Sequence, residues 1–277
     1  MKIEHITTDE ERAFYASRDV VLENCVFTGP ADGESALKES RNVTVRNCRF
    51  DLRYPLWHNE TCLIDTCELT ENCRAALWYS SDVRAVNTRF AGVKAFRECN
   101  HVTLKNCEIT SPECGWFCRD AVTENCRVEG EYFFFHAAQV AAQKLVFRGK
   151  YSFQYLENGM FEGCTLDTKD AFWHAKNVTV RNSVIKGEYL GWYSEGLTLV
   201  NCQIEGTQPL CYCKRLTLIN CTMTNCDLAF EYSDVSATIT GSVDSIKNPL
   251  AGKIVCDGVG ELIRDEHARG DCAVEIR

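Results

Sequence analysis

Between Gly29 and His58 the chain gathers the carboxylates Asp32, Glu34, Glu39 and Asp51, the cations Lys38 and Arg53, and the imidazole of His58. Two carboxylates at a suitable separation hydrolyse a glycosidic bond, one as acid and the other as base or nucleophile. Lys38, Arg53 and His58 suit a different reaction, in which a base removes a proton from a uronate while a cation holds its carboxylate. Ser35 lies in the same stretch but without the context of a nucleophile elbow, so serine hydrolysis is not expected. The plain alternative is a polar loop with a helical turn, whose opposite charges satisfy one another.

A second set is aromatic. Lys38, Trp57, Trp78, Arg97, Trp116, Phe135, Gln154, Trp173 and Trp192 recur at nearly constant spacing. The residue after each gives Glu39, His58, Tyr79, Glu98, Phe117, His136, Tyr155, His174 and Tyr193. Charges at Lys38, Arg97, Glu39 and Glu98 are costly inside an apolar interior, so both columns are expected to reach solvent. Tyr54, Trp57, Trp78, Tyr79, Arg97 and Glu98 then form a flank of rings and hydrogen-bonding groups suited to an extended sugar. The alternative is that the tryptophans fill a wide core beside small neighbours such as Ala76 and Ala175. Glu39 beside His58 and Lys38 beside Trp57 fit an acid–base contact and a cation–π pair, or merely satisfied surface contacts.

What positions these residues is a repeat. From Cys107 a frame of Asn-Cys and related pairs passes through Cys126, Leu145, Cys164, Ser183, Cys202 and Cys221 in steps of nineteen. Upstream it runs through Thr88, Cys67, Cys48 and Cys25. Before each pair apolar residues alternate, as at Val178 and Val180 or Leu216 and Leu218, the period of a half-buried strand. Asn breaks the phase and a second short strand resumes it. Such a unit stacked on itself is a β-solenoid, with roughly 11–12 coils about 4.8 Å apart, on the order of 50–60 Å long. Asn24, Asn47, Asn87, Asn106, Asn125, Asn182, Asn201 and Asn220 stack at one bend, where Asn tolerates left-handed backbone. The first step carries four extra residues within Gly29–Glu39, an irregularity on a rigid frame and so a usual place for a site.

One domain is expected: a cap over 1–19, repeats over 20–235 and closing strands over 236–277. Thr8-Asp-Glu-Glu11 has capping-box spacing and predicts a short helix from Asp9 to about Ala16. A formal net charge of −9 disfavours nucleic acid and anionic membrane as partners, and no apolar run is long enough to span a bilayer. The N-terminal residues lack the apolar stretch of a secretion signal, so a cytoplasmic location is expected. Eight of the 18 cysteines share one repeat column, which reads as a ladder of reduced, core-filling thiols. No metal or other cofactor is expected. Cys62, Cys67 and Cys73 lack zinc-site spacing, and His58 and His136 lie four coils apart, roughly 19 Å.

The Gly29–Glu39 and Arg53–His58 segments, with Ser245-Ile-Lys-Asn-Pro249, resemble a bacterial family catalogued as domain of unknown function 3737, over nearly the whole chain. That resemblance implies a right-handed, single-stranded parallel β-helix of the pectin-lyase type; the family brings no reaction and no catalytic residues. Two functions follow as expectations. One is a carbohydrate-active hydrolase or lyase acting on an oligo- or polysaccharide, with catalytic residues among Asp32, Glu34, Lys38, Glu39, Arg53 and His58. The other is a non-catalytic scaffold that binds a glycan or a protein through its flank. Paired acids or a cation cluster in a concave site favour the enzyme; a flat aromatic flank favours binding.

Overall fold

Each turn of the chain opens with a strand in which alternate side chains are buried, as in Asn100–Lys105, where Val102 and Leu104 face the core. Asn106 then bends the backbone at φ 52°, a left-handed conformation that Asn tolerates better than most residues. Cys107 is buried, and the strand Glu108–Thr110 follows with Ile109 inward. The third side is a run of turns in which left-handed residues alternate, Glu113, Gly115 and Phe117 having φ of 56°, 84° and 56°. In the next turn the frame repeats in parallel register, Val83 pairing with Val102 and Val102 with Ala121.

The computed structural model describes residues 1–29 and 34–277. It is a right-handed parallel β-solenoid of about 14 turns of roughly 19 residues. The chain divides into two compact units, Met1–Ala141 and Ala142–Arg277. In the first, Phe27 and Phe50 stack inside the coil at 4.8 Å and 3°. In the second, Phe153 stacks on Phe172 at 5.0 Å, and Phe161 meets both edge-on. Each such side chain contributes about 1.5–3 kcal/mol by leaving water.

Two expectations fail. No helix occurs among the described residues, and the capping-box segment is a side of the first coil instead. Arg12, Phe14 and Ala16 have φ of 58°, 57° and 53°, which no right-handed helix accommodates. Their neighbours bond across the coils, Arg12 N–H to the Glu34 carbonyl and Leu37 N–H to the Ala13 carbonyl. Thr8 Oγ1 does accept the Glu10 amide at 3.2 Å, a local bond shared by turns and helix caps. The turn count exceeds 11–12 because both ends coil as well. Lys2–Glu4 pairs with the strand Arg18–Glu23, while Ala251–Cys256 joins Asp234–Ile239 and then Ala273–Ile276.

The Asn bends carry their own bonds. Asn106 Nδ2 donates to Asn87 Oδ1 at 3.1 Å, and Asn125 Nδ2 to Asn106 Oδ1 at 2.8 Å. Asn106→Ala removes both and leaves a β-carbon in a left-handed bend, so a loss of about 1–3 kcal/mol is expected. Asn106→Gly keeps the backbone conformation and loses less. Urea titration of the two variants checks the order; equal losses would assign the whole effect to the amide bonds.

All 18 cysteines are buried thiols. Those in the repeat column donate to two carbonyls, as Cys202 Sγ does to Val180 and Val200, each at 3.4 Å. Burial pushes the Cys62 and Cys114 thiols up to about 12, which removes them from thiolate chemistry.

Candidate functional site

In the first two coils the charged residues meet, but in separate pairs. Arg53 Nη2 lies 3.6 Å from Glu34 Oε2, and the two residues are bridged through their backbones. Glu39 Oε1 is 3.3 Å from His58 Nδ1, both side chains about 40% exposed (38% and 43%). Lys38 Nζ sits 4.9 Å over the Trp57 ring. Asp51 accepts from Thr70 Oγ1 and Asn72 Nδ2, each at 2.7 Å. Those bonds, Thr70 first, hold its carboxyl below the usual carboxylate range. Asp32 lies outside the described residues. Ser35 is buried. The carboxylates Glu34, Glu39 and Asp51 thus each have a different partner.

The tryptophans are half-buried on the outer wall, one position beyond the buried Leu56 and Leu77. Each indole N–H donates to a carbonyl of the following coil: Trp57 to Ala75 at 2.5 Å, Trp78 to Lys94 at 2.8 Å, Trp116 to Tyr132 at 3.0 Å. This bond fixes the ring plane, and where two tryptophans follow one another they stack face to face, whereas Trp116 and Phe135 are tilted at 44°. Trp57 and Trp78 are 5.5 Å apart at 11°. In the second unit Trp173 and Trp192 are 5.3 Å apart at 4°. Tyr54 tilts onto Trp57 at 4.9 Å. The two tryptophan pairs use ring faces on one another, a poor surface for stacking a sugar.

The same holds for the neighbouring column in the second unit. Tyr155, His174, Tyr193 and Tyr212 stack in sequence at 4.8, 5.0 and 4.8 Å, with planes within 11°. Desolvation holds the His174 imidazole below its ordinary 6.5. The folded chain thus disfavours the protonated form, while the unfolded chain takes a proton near 6.5. Stability from this site is complete above that pH and is lost as pH falls below it. His174→Phe should flatten the melting temperature between pH 7 and 5 relative to the parent; an unchanged slope would rule this site out as the cause.

The aromatic columns break at Arg97 and Glu98. The Arg97 guanidinium lies 5.0 Å over Trp78 and 5.7 Å over both Trp116 and Phe117, and its Nε approaches Glu98 Oε1 at 3.3 Å. No ring occupies position 98, so Tyr79 and Phe117 lack a ring stacked between them; they are 43% and 40% exposed, as are the stacked Tyr193 and Tyr155 at 45% and 38%. Tyr79 meets Trp57, Trp78 and His58 edge-on, whereas Phe117 lies 5.5 Å from His136 at 17°. Here the surface dips into a shallow depression of about 570 Å³ lined by Arg97, Glu98, Asn100, Phe117, Arg119 and His136.

Arg97 and Glu98 belong to the sequence-predicted set. Asn100 and Arg119 do not, although they are register partners. The signal was present: two positions beyond the Glu98 column, the nineteen-residue step reads Ser81, Asn100 and Arg119. The predicted residues of the first coils line no part of this depression. Among the described residues no group of three or more His, Cys, Asp or Glu side chains is placed to hold a metal ion.

The sequence pattern of one protein family, described as a protein of unknown function (DUF3737), matches residues 1–277. The chain belongs to that family. No curated protein sequence matches it. Among solved structures it is similar to the surface adhesin PfbA of Streptococcus pneumoniae, at 8% identity and TM-score 0.43, over 92% of this chain and 82% of that one. It is similar to tailspike protein 3 of bacteriophage CBA120, at 12% identity and TM-score 0.45, over 98% of this chain; it spans half (50%) of the tailspike chain. A third is the A-module of the mannuronan C-5 epimerase AlgE4 of Azotobacter vinelandii, at 9% identity and TM-score 0.35, covering 93% and 88%. No residue of the family member described here takes a role from these likenesses.

Proposed function

We propose that this chain is a carbohydrate-binding β-solenoid without catalysis, and that it binds at the break in the aromatic columns. The observation that carries this is the depression beside Phe117, the place where an exposed ring stands next to Arg97, Glu98, Asn100 and Arg119. A pyranose presents an apolar face and a rim of hydroxyls, so it needs one ring and several donors and acceptors in a shallow, open site. The buried thiols, 18 in number, fit a compartment that keeps cysteine reduced, in keeping with a cytoplasmic oligosaccharide as ligand.

The rival is a hydrolase or lyase at the first coils, favoured by the 3.3 Å contact of Glu39 with His58. Against it, Glu34, Glu39 and Asp51 are each engaged by a neighbour of their own, Arg53, His58 and Thr70. A glycan-binding screen followed by turnover assays on the hits separates the two. Binding without product is expected, with Phe117→Ala weakening it about tenfold through loss of the stacked ring. Product formation that disappears in the combined Lys38→Ala, Arg53→Ala, His58→Ala variant would establish the enzyme and sink the binding proposal.

A further inference from the structure

The depression has a charge of its own. The chain is acidic overall, with a formal net charge of −9, yet the lining holds two guanidinium groups against one carboxylate. Glu98 is engaged by Arg97 Nε, and a guanidinium carries five N–H donors, so that contact leaves most of the Arg97 donors available. Arg119 is exposed and forms no ion pair among the described residues. Several surface arginines of this unit are paired, Arg46 with Glu23, Arg49 with Glu68, Arg89 with Glu68 and Glu71; Arg18, Arg74, Arg84 and Arg127 are exposed like Arg119, and Arg119 differs from them in lying beside Arg97 in the depression. For each of the paired arginines a carboxylate lies one coil or so away. At Arg119 the register partner in the preceding coil is Asn100, a neutral side chain that offers both a donor and an acceptor.

Two guanidinium groups lining one depression suit an anion, and the planar two-nitrogen fork fits a carboxylate in bidentate geometry. Phe117 stands on the same wall with its ring exposed, which suits a sugar ring carrying that carboxylate. Resting on the carbohydrate reading above, we infer that the ligand is an acidic sugar, a uronate, whose carboxylate is held by Arg119 with Arg97 and whose ring lies against Phe117. Asn100 then reaches a hydroxyl next to the carboxylate. Glu98 remains with Arg97, fixing the guanidinium that both rings and ligand use.

Titration calorimetry of the full chain with trigalacturonate and with the same trisaccharide after carboxyl reduction tests this. The acidic form should bind about tenfold or more tightly, the worth of one charge-assisted bond. Arg119→Met should erase that preference, weakening trigalacturonate far more than the reduced trisaccharide, with the melting temperature unchanged. Arg119→Lys, which keeps the charge but not the fork, should fall between. Equal binding of both trisaccharides, or an equal loss of both in Arg119→Met, overturns the acidic-sugar inference and leaves carbohydrate binding in place. Neutral glycans binding in the screen while trigalacturonate does not has the same meaning. No binding by either trisaccharide or by any glycan in the screen overturns both.

Discussion

Phe172→Ala is expected to cost about 3–5 kcal/mol, the range for deleting a large buried aromatic side chain. Phe172 is fully buried, stacked on Phe153 at 5.0 Å and edge-on to Phe161 at 5.2 Å. Removing the ring leaves a hole between coils that are held in register by continuous backbone ladders, so the walls have little freedom to collapse. The loss should also be local. Each coil of a solenoid touches only its neighbours, so hydrogen exchange should speed first in Glu157–Glu162 and Lys176–Arg181, the strands on either side. Phe172→Leu, which keeps most of the volume, should lose under half as much. A loss below about 1 kcal/mol for the alanine variant would contradict the packing described here.

Gly206→Ala should be nearly as damaging, for a backbone reason. Gly206 has φ 138°, a region that side chains avoid, and an added β-carbon would meet the Gly187 carbonyl oxygen directly, with the carbonyl carbon at 2.6 Å. Gly187 at φ 131° stands in the same relation to the carbonyl of Thr168. The two glycines let successive turns stack with carbonyl against α-carbon. Strain and displacement together give an expected loss of about 3 kcal/mol or more. Gly163 is the control. It occupies the Asn bend column at φ 62° with its nearest neighbour, Lys144 Cγ, at 4.0 Å. Gly163→Asn should therefore be neutral or stabilising, by up to about 1 kcal/mol, because the unfolded chain loses freedom. Thermal unfolding of the two variants reads the contrast, and similar losses at both positions would refute the account of Gly206.

The site was partly legible. Glu39 with His58 and Lys38 with Trp57 follow from the repeat, because residues one step apart are neighbours on adjacent coils, and both contacts occur. Arg97 and Glu98 were singled out for their charge in an aromatic column, and they do mark the break at which the depression lies. Arg119 belongs to a column of ordinary exposed strand positions, which by itself does not single it out. The fold places it beside Arg97 in the depression. The emphasis on the first coils followed from their irregular length; opposite charges there find each other locally, as Glu34 and Arg53 do.

By itself the sequence determined the parallel β-solenoid, the inward columns and the Asn bends. A nineteen-residue period in parallel stacking places like residues side by side, so a column is a spatial object before any coordinates exist. The first segment shows the limit: Thr8-Asp-Glu-Glu11 carries a cap bond common to turns and helices, and only packing against the next coil selected the left-handed turns. The same limit governs the aromatic flank. Sequence shows that Trp57 and Trp78 share a column, but not whether their faces or edges meet solvent. That was decided by the indole N–H of each ring bonding to a carbonyl on the next coil, which sets Trp57 and Trp78 face to face, while Arg97 and Glu98 interrupt the columns beside Phe117.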